Sequence, residues 1–491
     1  MKTNERCILI YNPISGHGHL DSWNALFVAL LLKQGWNVLA LTPDVPALMS
    51  RLAEKDLATS ANLQILQWNA HSASYGFKEF LRRIWQRWYA FSDRYFYRRS
   101  GSEVHQGMSF FTYWRVRLYQ WTIPFMYRVS RLFLTLYRRR HAFSASAGVS
   151  IDPEQDMVDP RAMATRTKAA LKSAKWKPRL ALNMYVDTYA KRAEKWSTFV
   201  SANSLPWVGI CFVPSEDARE GWYASYAFVG MFFLDEDVCL RYRKMFPALQ
   251  FEYLPDVTEI GLPTSPSALA AEVHRLAAGR IIIFLGGSIG GQKNLARWFE
   301  VIALADPARW FFVQVGEIHR STLTAEDLVA LERAQKSPPE NLLLHEGYLP
   351  DERAFNDLIA ACDLIFAVYR DFRISSNMLG KAAHFCKPIL VSDRYLMGKR
   401  VRQYRIGKTV PEDDATAILE GMEEIAAQPV KKDNFEHYKA DFSIQVLETR
   451  LKKMFNAIFS TDNSSPAPAN ASLGNGLGST TTLAKAIWKT K

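Results

Sequence analysis

Three short stretches of this 491-residue chain carry residues whose types and spacing can do chemistry. The first, "FLGGSIGGQKN" (284–294), sets four glycines and Lys293 between an apolar run and a helical one. Glycines let backbone approach an anion closely, a helix start leaves N–H groups unpaired, and lysine adds a compact positive charge. The spacing fits neither GxGxxG nor GxxxxGK[ST], so the dinucleotide and ATPase fingerprints are not met. The second, "YRDFRISSNMLGKAAHFCKPILVSD" (369–393), puts Ser375 and Ser376 at the cap of a helix starting near Asn377. Arg370, Arg373 and Lys381 surround that start, and Asp371 can orient an arginine. Two anion-suited turns in one half of the chain point to a diphosphate-bearing ligand. The third stretch, "GHGHLD", places Gly16, His17, Gly18 and His19 on a loop, with Asp21 just beyond. A histidine here can act as general base near neutral pH, with Asp21 orienting the imidazole or serving as the base itself. The HxH pair has no third ligand nearby, so no metal site is expected.

The elements that must hold these groups are legible as a strand–helix rhythm. "RCILIYNP" is an apolar run of strand length, closed by Pro13 and the glycine-rich loop. "DSWNALFVALLLKQG" has helical periodicity, with Asp21 or Ser22 as N-cap and Gly35 as the stop, and "WNVLALTPD" is a second strand. Strand, glycine-rich turn, helix and strand open a βαβ unit, which implies a parallel sheet with its ligand site at the strands' carboxyl ends. "RLALNMYVDTY", "PWVGICFVP", "AFVGMFFLD" and "FEYLPDV" continue the strand pattern, and the Pro- and Ser-containing run near 261–270 reads as a hinge. The rhythm restarts at "RIIIFLGGSIGG" and runs through "WFFVQVGE", "NLLLHEGYL", "CDLIFAVY" and "KPILVSD". Residues 432–459 read as amphipathic helices, and 460–491 as a low-complexity, disordered tail.

Composition bounds the function classes. The length suits two domains, and 48% apolar with 22% charged residues is globular. Five scattered cysteines with no CxxC pair argue against a disulfide framework or a zinc site and fit a reducing compartment. No secretory signal or 18-residue apolar run is evident, so a cytoplasmic protein is expected. The charge is concentrated. Between Lys78 and Arg140 there are fourteen Lys/Arg against three acids, a net +11 within a chain of net +12, together with eighteen aromatic residues. Arginines interrupt every apolar run, so this insert cannot span a bilayer. It can lie on an anionic membrane surface, with Trp and Tyr at headgroup level and Arg snorkelling. Apolar stretches such as "LFLTLY" favour lipid over nucleic acid, and a helical cover over the first domain is the plainer alternative.

With these motifs in hand, residues 1–459 resemble a GT-B glycosyltransferase, most closely the family-4 (group 1) type. "FLGGSIGGQKNL" is similar to that family's strand–loop–Lys segment, which holds the donor diphosphate and implies roles for Gly287, Ser288 and Lys293. "LLLHEGYLPDERAFNDLIAACDLIFAVY" resembles the stretch that contacts the donor base, and "SSNMLGKAAHFCKPILVSD" the helix and strand that follow it. "SGHGHLDSWNALFVALLLKQGWNV" is similar to the first βα unit, whose loop faces the acceptor, and His19 is the nearest match to the histidine base of some inverting members. The chain departs from the family in one respect. Retaining members carry a Glu-x7-Glu pair; anchored on Pro388, those positions are Arg373 and Lys381.

The resemblance implies an α/β fold of two Rossmann-like domains around a deep cleft. The expected domains are 1–268, acceptor-binding and containing the 78–140 insert; 269–430, nucleotide-sugar-binding; and 431–459, helices crossing back to the first domain. Donor binding is assigned to Gly287, Ser288, Lys293 and Glu317 on one side, and to Arg373, Ser375, Ser376, Asn377 and Lys381 on the other. Catalysis is assigned to His19 and Asp21, beside the acceptor loop Gly16–Gly18, with no cofactor or metal. The expected reaction moves a sugar from a nucleotide-diphosphate donor to a lipid-linked or membrane-bound acceptor in glycan or polysaccharide synthesis. The setting is cytoplasmic, peripheral at the inner face of the membrane, with no nucleic-acid partner. A sugar-nucleotide epimerase and a catalytically silent membrane- or partner-binding protein remain as alternatives.

Overall fold

A computed structural model describes residues 6–15, 20–68, 160–188, 205–214, 222, 227–347, 349 and 351–461. Gly16, His17, Gly18 and His19, the 78–140 insert and the tail from 462 lie outside the described residues.

The first half builds a seven-stranded sheet from β1 (Cys7–Tyr11), β2 (Asn37–Thr42), β3 (Leu63–Gln67), β4 (Leu180–Asn183), β5 (Trp207–Cys211), β6 (Phe228–Phe233) and β7 (Gln250–Tyr253). The spatial order is β3-β2-β1-β4-β5-β6-β7, and every pairing is parallel. The strand "CILIY" is buried at all five positions. That is why it reads as an unbroken apolar run rather than an alternating one: a parallel strand is covered on both faces. Helices α1 (Leu20–Lys33), α2 (Val45–Ala53), α3 (Pro160–Ser173) and α4 (Glu236–Met245) supply cover.

The second half repeats the plan in β8 (Ile281–Gly286), β9 (Trp310–Gly316), β10 (Leu342–Glu346), β11 (Leu364–Ala367), β12 (Ile389–Ser392) and β13 (Gly407–Val410). Their order is β10-β9-β8-β11-β12-β13, again all parallel. The helices are α5 (Ala268–Ala277), α6 (Leu295–Leu304), α7 (Ala325–Lys336), α8 (Glu352–Ala361), α9 (Asn377–His384), α10 (Tyr395–Tyr404), α11 (Ala415–Ala427) and α12 (Lys432–Asp441). In both sheets the order reverses beside the first strand. At such a switch point two loops diverge and leave a crevice at the carboxyl edge.

The two halves are joined twice. Residues 254–267 cross over after β7, and Ser267 then caps α5 by accepting from Ala270 N–H. Asp357 of α8 fastens that cap, accepting from the Ser267 N–H and hydroxyl at 2.7 and 2.9 Å. The last helix, α13 (Ile444–Thr461), returns to the first half. Its Leu447, Leu451, Met454, Phe455 and Ile458 form one stripe, buried with Trp36 and Phe232. Each such side chain contributes roughly 1.5–3 kcal/mol on burial, so the return crossing is firmly held. Of the two C-terminal helices expected to cross, α12 stays behind. Phe435 and Tyr438 are buried in the second core, and the Tyr438 ring stacks on Phe442 with centroids 4.1 Å apart.

Candidate active site

The glycine-rich turn leaves β8 at Gly286 and reaches α6 through a short 3-10 turn, Gly291–Lys293. It is zipped to the end of β9: Gly287 N–H donates to Val315 O at 3.0 Å, Ile289 N–H to Glu317 O at 2.9 Å, and His319 N–H to Ile289 O at 2.9 Å. Two glycines permit this. Gly287 has φ +96°, a conformation costly for any other residue, and a Cβ at Gly316 would collide with the Gly287 carbonyl oxygen. Lys293 folds back over the turn. Its Nζ donates to Gly286 O at 3.1 Å and to the Tyr369 hydroxyl at 2.7 Å, and stands 4.0 Å from the Tyr369 ring centroid.

The turn is braced by an ion pair between a fully buried carboxylate and a part-exposed arginine that lines the cavity. Arg370, just past β11, donates from both Nη atoms to Asp327 at 2.9 and 3.1 Å. Asp327 is fully buried and also accepts from Ala296 N–H, joining the starts of α6 and α7. Burial by itself would raise the Asp327 carboxyl, but the bonds from Arg370, Ala296 and Thr324 outweigh it and hold the group below the usual carboxylate range. Arg370 also donates to Asn294 Oδ1, whose amide in turn reaches Val368 O and Glu412 O. Arg370 is therefore a strut of the site.

Ser376 caps α9, its hydroxyl accepting from Met378 N–H. Ser375 is held more tightly. Its hydroxyl donates to Asp256 at 2.6 Å and accepts from Arg400 Nη1 at 2.7 Å. Arg400, 1% exposed, sends Nη2 to the Leu234 carbonyl at the end of β6. Asp256 and Leu234 come from the first half and Ser375 and Arg400 from the second, so this chain of bonds crosses the junction.

A cavity of about 1050 Å³ opens between the halves. It is lined by Phe212, Leu234 and Asp256 beyond the first sheet's carboxyl edge. On the other side stand the Gly286–Lys293 turn, Glu317, Glu352, Tyr369 and the α9 start from Ile374 to Met378. Two doubly wound parallel sheets thus meet carboxyl edge to carboxyl edge at this cleft. The fold is GT-B.

Comparison with solved structures agrees. A sucrose-phosphate synthase from Thermosynechococcus elongatus superposes with TM-score 0.56 at 13% identity, over 93% of this chain and 100% of that one. An α,α-trehalose 6-phosphate synthase from Burkholderia multivorans gives 0.56 at 10% identity, over 94% and 100%. An E. coli trehalose-6-phosphate structure bound with UDP-2-fluoro glucose gives 0.54 at 11% identity, over 94% and 100%. At such identities the likeness is one of fold. No protein-family profile matches the sequence, and no curated protein matches it.

In this GT-B cleft the structure gathers Gly287, Ser288, Lys293, Glu317, Ser375, Ser376 and Asn377 around one cavity. Two expected donor contacts do not join them. Lys381 is fully buried one turn into α9 and turns toward the hinge. Its ammonium donates to Glu352 at 2.5 Å, to Glu259 O at 3.1 Å and to the Asn356 side-chain oxygen. Burial lowers the Lys381 pKa, opposed in part by Glu352 and Glu259. Arg373 leaves the cavity as well: half exposed, it pairs with Asp371 at 3.4 Å and lies against the Tyr395 ring. Asp21 sits 8% exposed in the first turn of α1, holding the Ser15 hydroxyl at 2.8 Å, and does not line the cavity. His19 and the Gly16–Gly18 loop lie outside the described residues.

Sequence reasoning missed Asp256, Arg400, Tyr369 and Glu352. Glu352 alters the balance most. The chain has lysine where the resembling family has its second glutamate, yet Glu352 from α8 brings a carboxylate onto that lysine and into the cavity wall. No sequence signal pairs these residues, which lie on separate helices. Among the described residues, no helix is long and apolar enough to cross a membrane, and no group of three His, Cys, Asp or Glu side chains could hold a metal.

Proposed function

We propose that the chain is a glycosyltransferase, moving a sugar from a nucleotide-diphosphate donor to an acceptor held by the first domain. The observation that carries this reading is the convergence of the Gly287–Gly291 turn, Lys293 and the Ser376-capped start of α9 on one cavity of about 1050 Å³. Backbone N–H groups and one ammonium there would stabilise charge developing on the leaving diphosphate, the strongest electrostatic help such a site can give. Glu317 and Glu352 supply carboxylates to accept donor hydroxyls. Solved relatives in fold include sucrose- and trehalose-phosphate synthases and a complex with a UDP-glucose analogue, which supports a nucleotide-sugar donor. His19 is the proposed general base. The basic, aromatic 78–140 segment of the acceptor half supports a lipid-linked or membrane-bound acceptor, met on the cytosolic face of a membrane in polysaccharide or glycolipid synthesis.

Isothermal titration with UDP-, GDP- and ADP-sugars tests the donor site. One nucleotide class should bind, and Lys293→Ala should weaken it by roughly tenfold, the value of one hydrogen bond from a charged group. Binding to anionic vesicles should be unchanged in that variant. Absence of binding by any nucleotide sugar would remove the enzyme reading, and full turnover in His19→Ala would remove the base assignment.

A further inference from the structure

Lys293 and Tyr369 face each other in the cleft with hydrogen-bond donors left over. Tyr369, two residues past β11, is 3% exposed yet lines the cavity of about 1050 Å³, as does the part-buried Lys293. The phenol oxygen accepts from Lys293 Nζ at 2.7 Å, and a hydroxyl that accepts still has its own proton to give. Among the described residues no acceptor takes that proton. The ammonium carries three N–H bonds, of which Gly286 O and the Tyr369 hydroxyl take two. One O–H and one N–H thus remain, on atoms 2.7 Å apart, a spacing that suits two oxygens of one phosphoryl group.

The pair is held in register before any ligand arrives. The Tyr369 ring meets Phe372 edge to face, with centroids 5.2 Å apart, and Lys293 Nζ stands 4.0 Å from the Tyr369 ring centroid. The backbone on either side of Tyr369 is tied to the turn that carries Lys293. Asn294 Nδ2 donates to Val368 O, and Arg370 N–H donates to Gln292 O at 2.8 Å. A hydroxyl proton kept from water without an acceptor is costly, and a phenol whose oxygen is bonded to an ammonium is a stronger donor than a free one. Such a proton is best taken by an anionic oxygen.

We infer that Tyr369 is a binding residue for the diphosphate of the donor, its hydroxyl donating to one phosphoryl oxygen while the remaining Lys293 N–H donates to another oxygen of the same group. Tyr369 then does more than hold Lys293: the two side chains grip the anion together. The assignment to a sugar donor rests on the glycosyltransferase reading, whereas the anion contact itself needs only the two side chains and the cavity they line.

The test titrates pyrophosphate and, separately, UDP-, GDP- and ADP-sugars into the full chain and into its Tyr369→Phe, Lys293→Ala and doubly substituted variants. Phenylalanine keeps the ring and its contacts and removes only the hydroxyl. The wild type should bind pyrophosphate, and Tyr369→Phe should weaken pyrophosphate and the bound nucleotide sugar by about tenfold each. In the Lys293→Ala background the same substitution should still weaken binding by about threefold or more, less than in the wild type because the ammonium no longer strengthens the phenol. Loss of the whole effect in that background would show that Tyr369 acts only by holding Lys293, and would overturn the inference. Equal pyrophosphate affinity in wild type and Tyr369→Phe, or no binding by the wild type, would overturn it as well. Should a variant fail to fold or bind too weakly to measure, 3-fluorotyrosine at position 369 keeps the hydroxyl and decides the matter. A fluorine resonance that moves on adding pyrophosphate supports the contact, and an unmoved one refutes it. A nucleotide sugar bound equally by wild type and Tyr369→Phe leaves the glycosyltransferase reading standing and removes the Tyr369 contact. Pyrophosphate bound through Tyr369 with no nucleotide sugar bound does the reverse.

Discussion

Lys381→Met separates two roles for one residue, a donor contact or a clamp at the hinge. The lysine is fully buried and joins α9 to Glu352, to the Asn356 side chain and to the Glu259 carbonyl of the crossing segment. Methionine keeps the stem's volume and removes the ammonium. Asn356 is itself fully buried, so its orphaned oxygen costs about 1–3 kcal/mol. Glu352 keeps a quarter of its surface in water and loses less, about 1 kcal/mol or below. Glu259 O retains the Asn356 amide at 3.2 Å, which limits its loss. Relief from burying a charge offsets part of this, as the lowered Lys381 pKa implies, leaving a destabilisation of roughly 2–3 kcal/mol. For a domain of this size that is a fall of about 4–12 °C in melting temperature, read by calorimetry or circular dichroism. Nucleotide-sugar affinity, measured well below the transition, should change by less than about threefold, under 0.7 kcal/mol. An unchanged melting temperature with affinity lowered tenfold or more would refute the clamp and restore Lys381 to the donor site.

Three further outcomes test the frame of the site. Gly316→Ala should displace the Gly287 turn, costing about 1–3 kcal/mol and most of the nucleotide-sugar affinity by titration, while far-ultraviolet circular dichroism stays unchanged. Arg400→Met should cut the bonds to Leu234 O and Ser375, each worth roughly 1.5–3 kcal/mol, and loosen the junction. Small-angle scattering should then report a larger radius of gyration. Asp327 titrates below its unfolded value of 3.8, so the native state binds its proton more weakly. Its contribution to stability is complete above pH 3.8 and disappears as pH falls through the lower folded value. Asp327→Asn should lower stability at neutral pH and flatten the acid limb of a pH–melting curve in that range.

The parts of this protein that local stereochemistry controls are legible in its amino-acid sequence. The apolar runs of β1 and β8, the glycines that let the 284–294 turn fold tightly, and the serine cap of α9 each follow from a few adjacent residues. Their identities restrict backbone angles and hydrogen bonding wherever the chain goes. They predicted the βα rhythm, the two halves and the turn that carries Lys293. What those residues left open was where each side chain points. Counting back from Pro388 places Lys381 one turn into a helix, but only the packing of α8 beside α9 sends its ammonium to Glu352 instead of into the cleft. The hydrogen bonds that complete the site join residues far apart in the chain: Ser375 with Asp256 across 119 positions, Arg400 with Leu234 across 166, and Lys293 with Tyr369 across 76. No local propensity encodes such pairs. They arise when two sheets and a returning helix are packed together, because only the packed chain brings those groups within bonding distance and removes the water that would otherwise satisfy them.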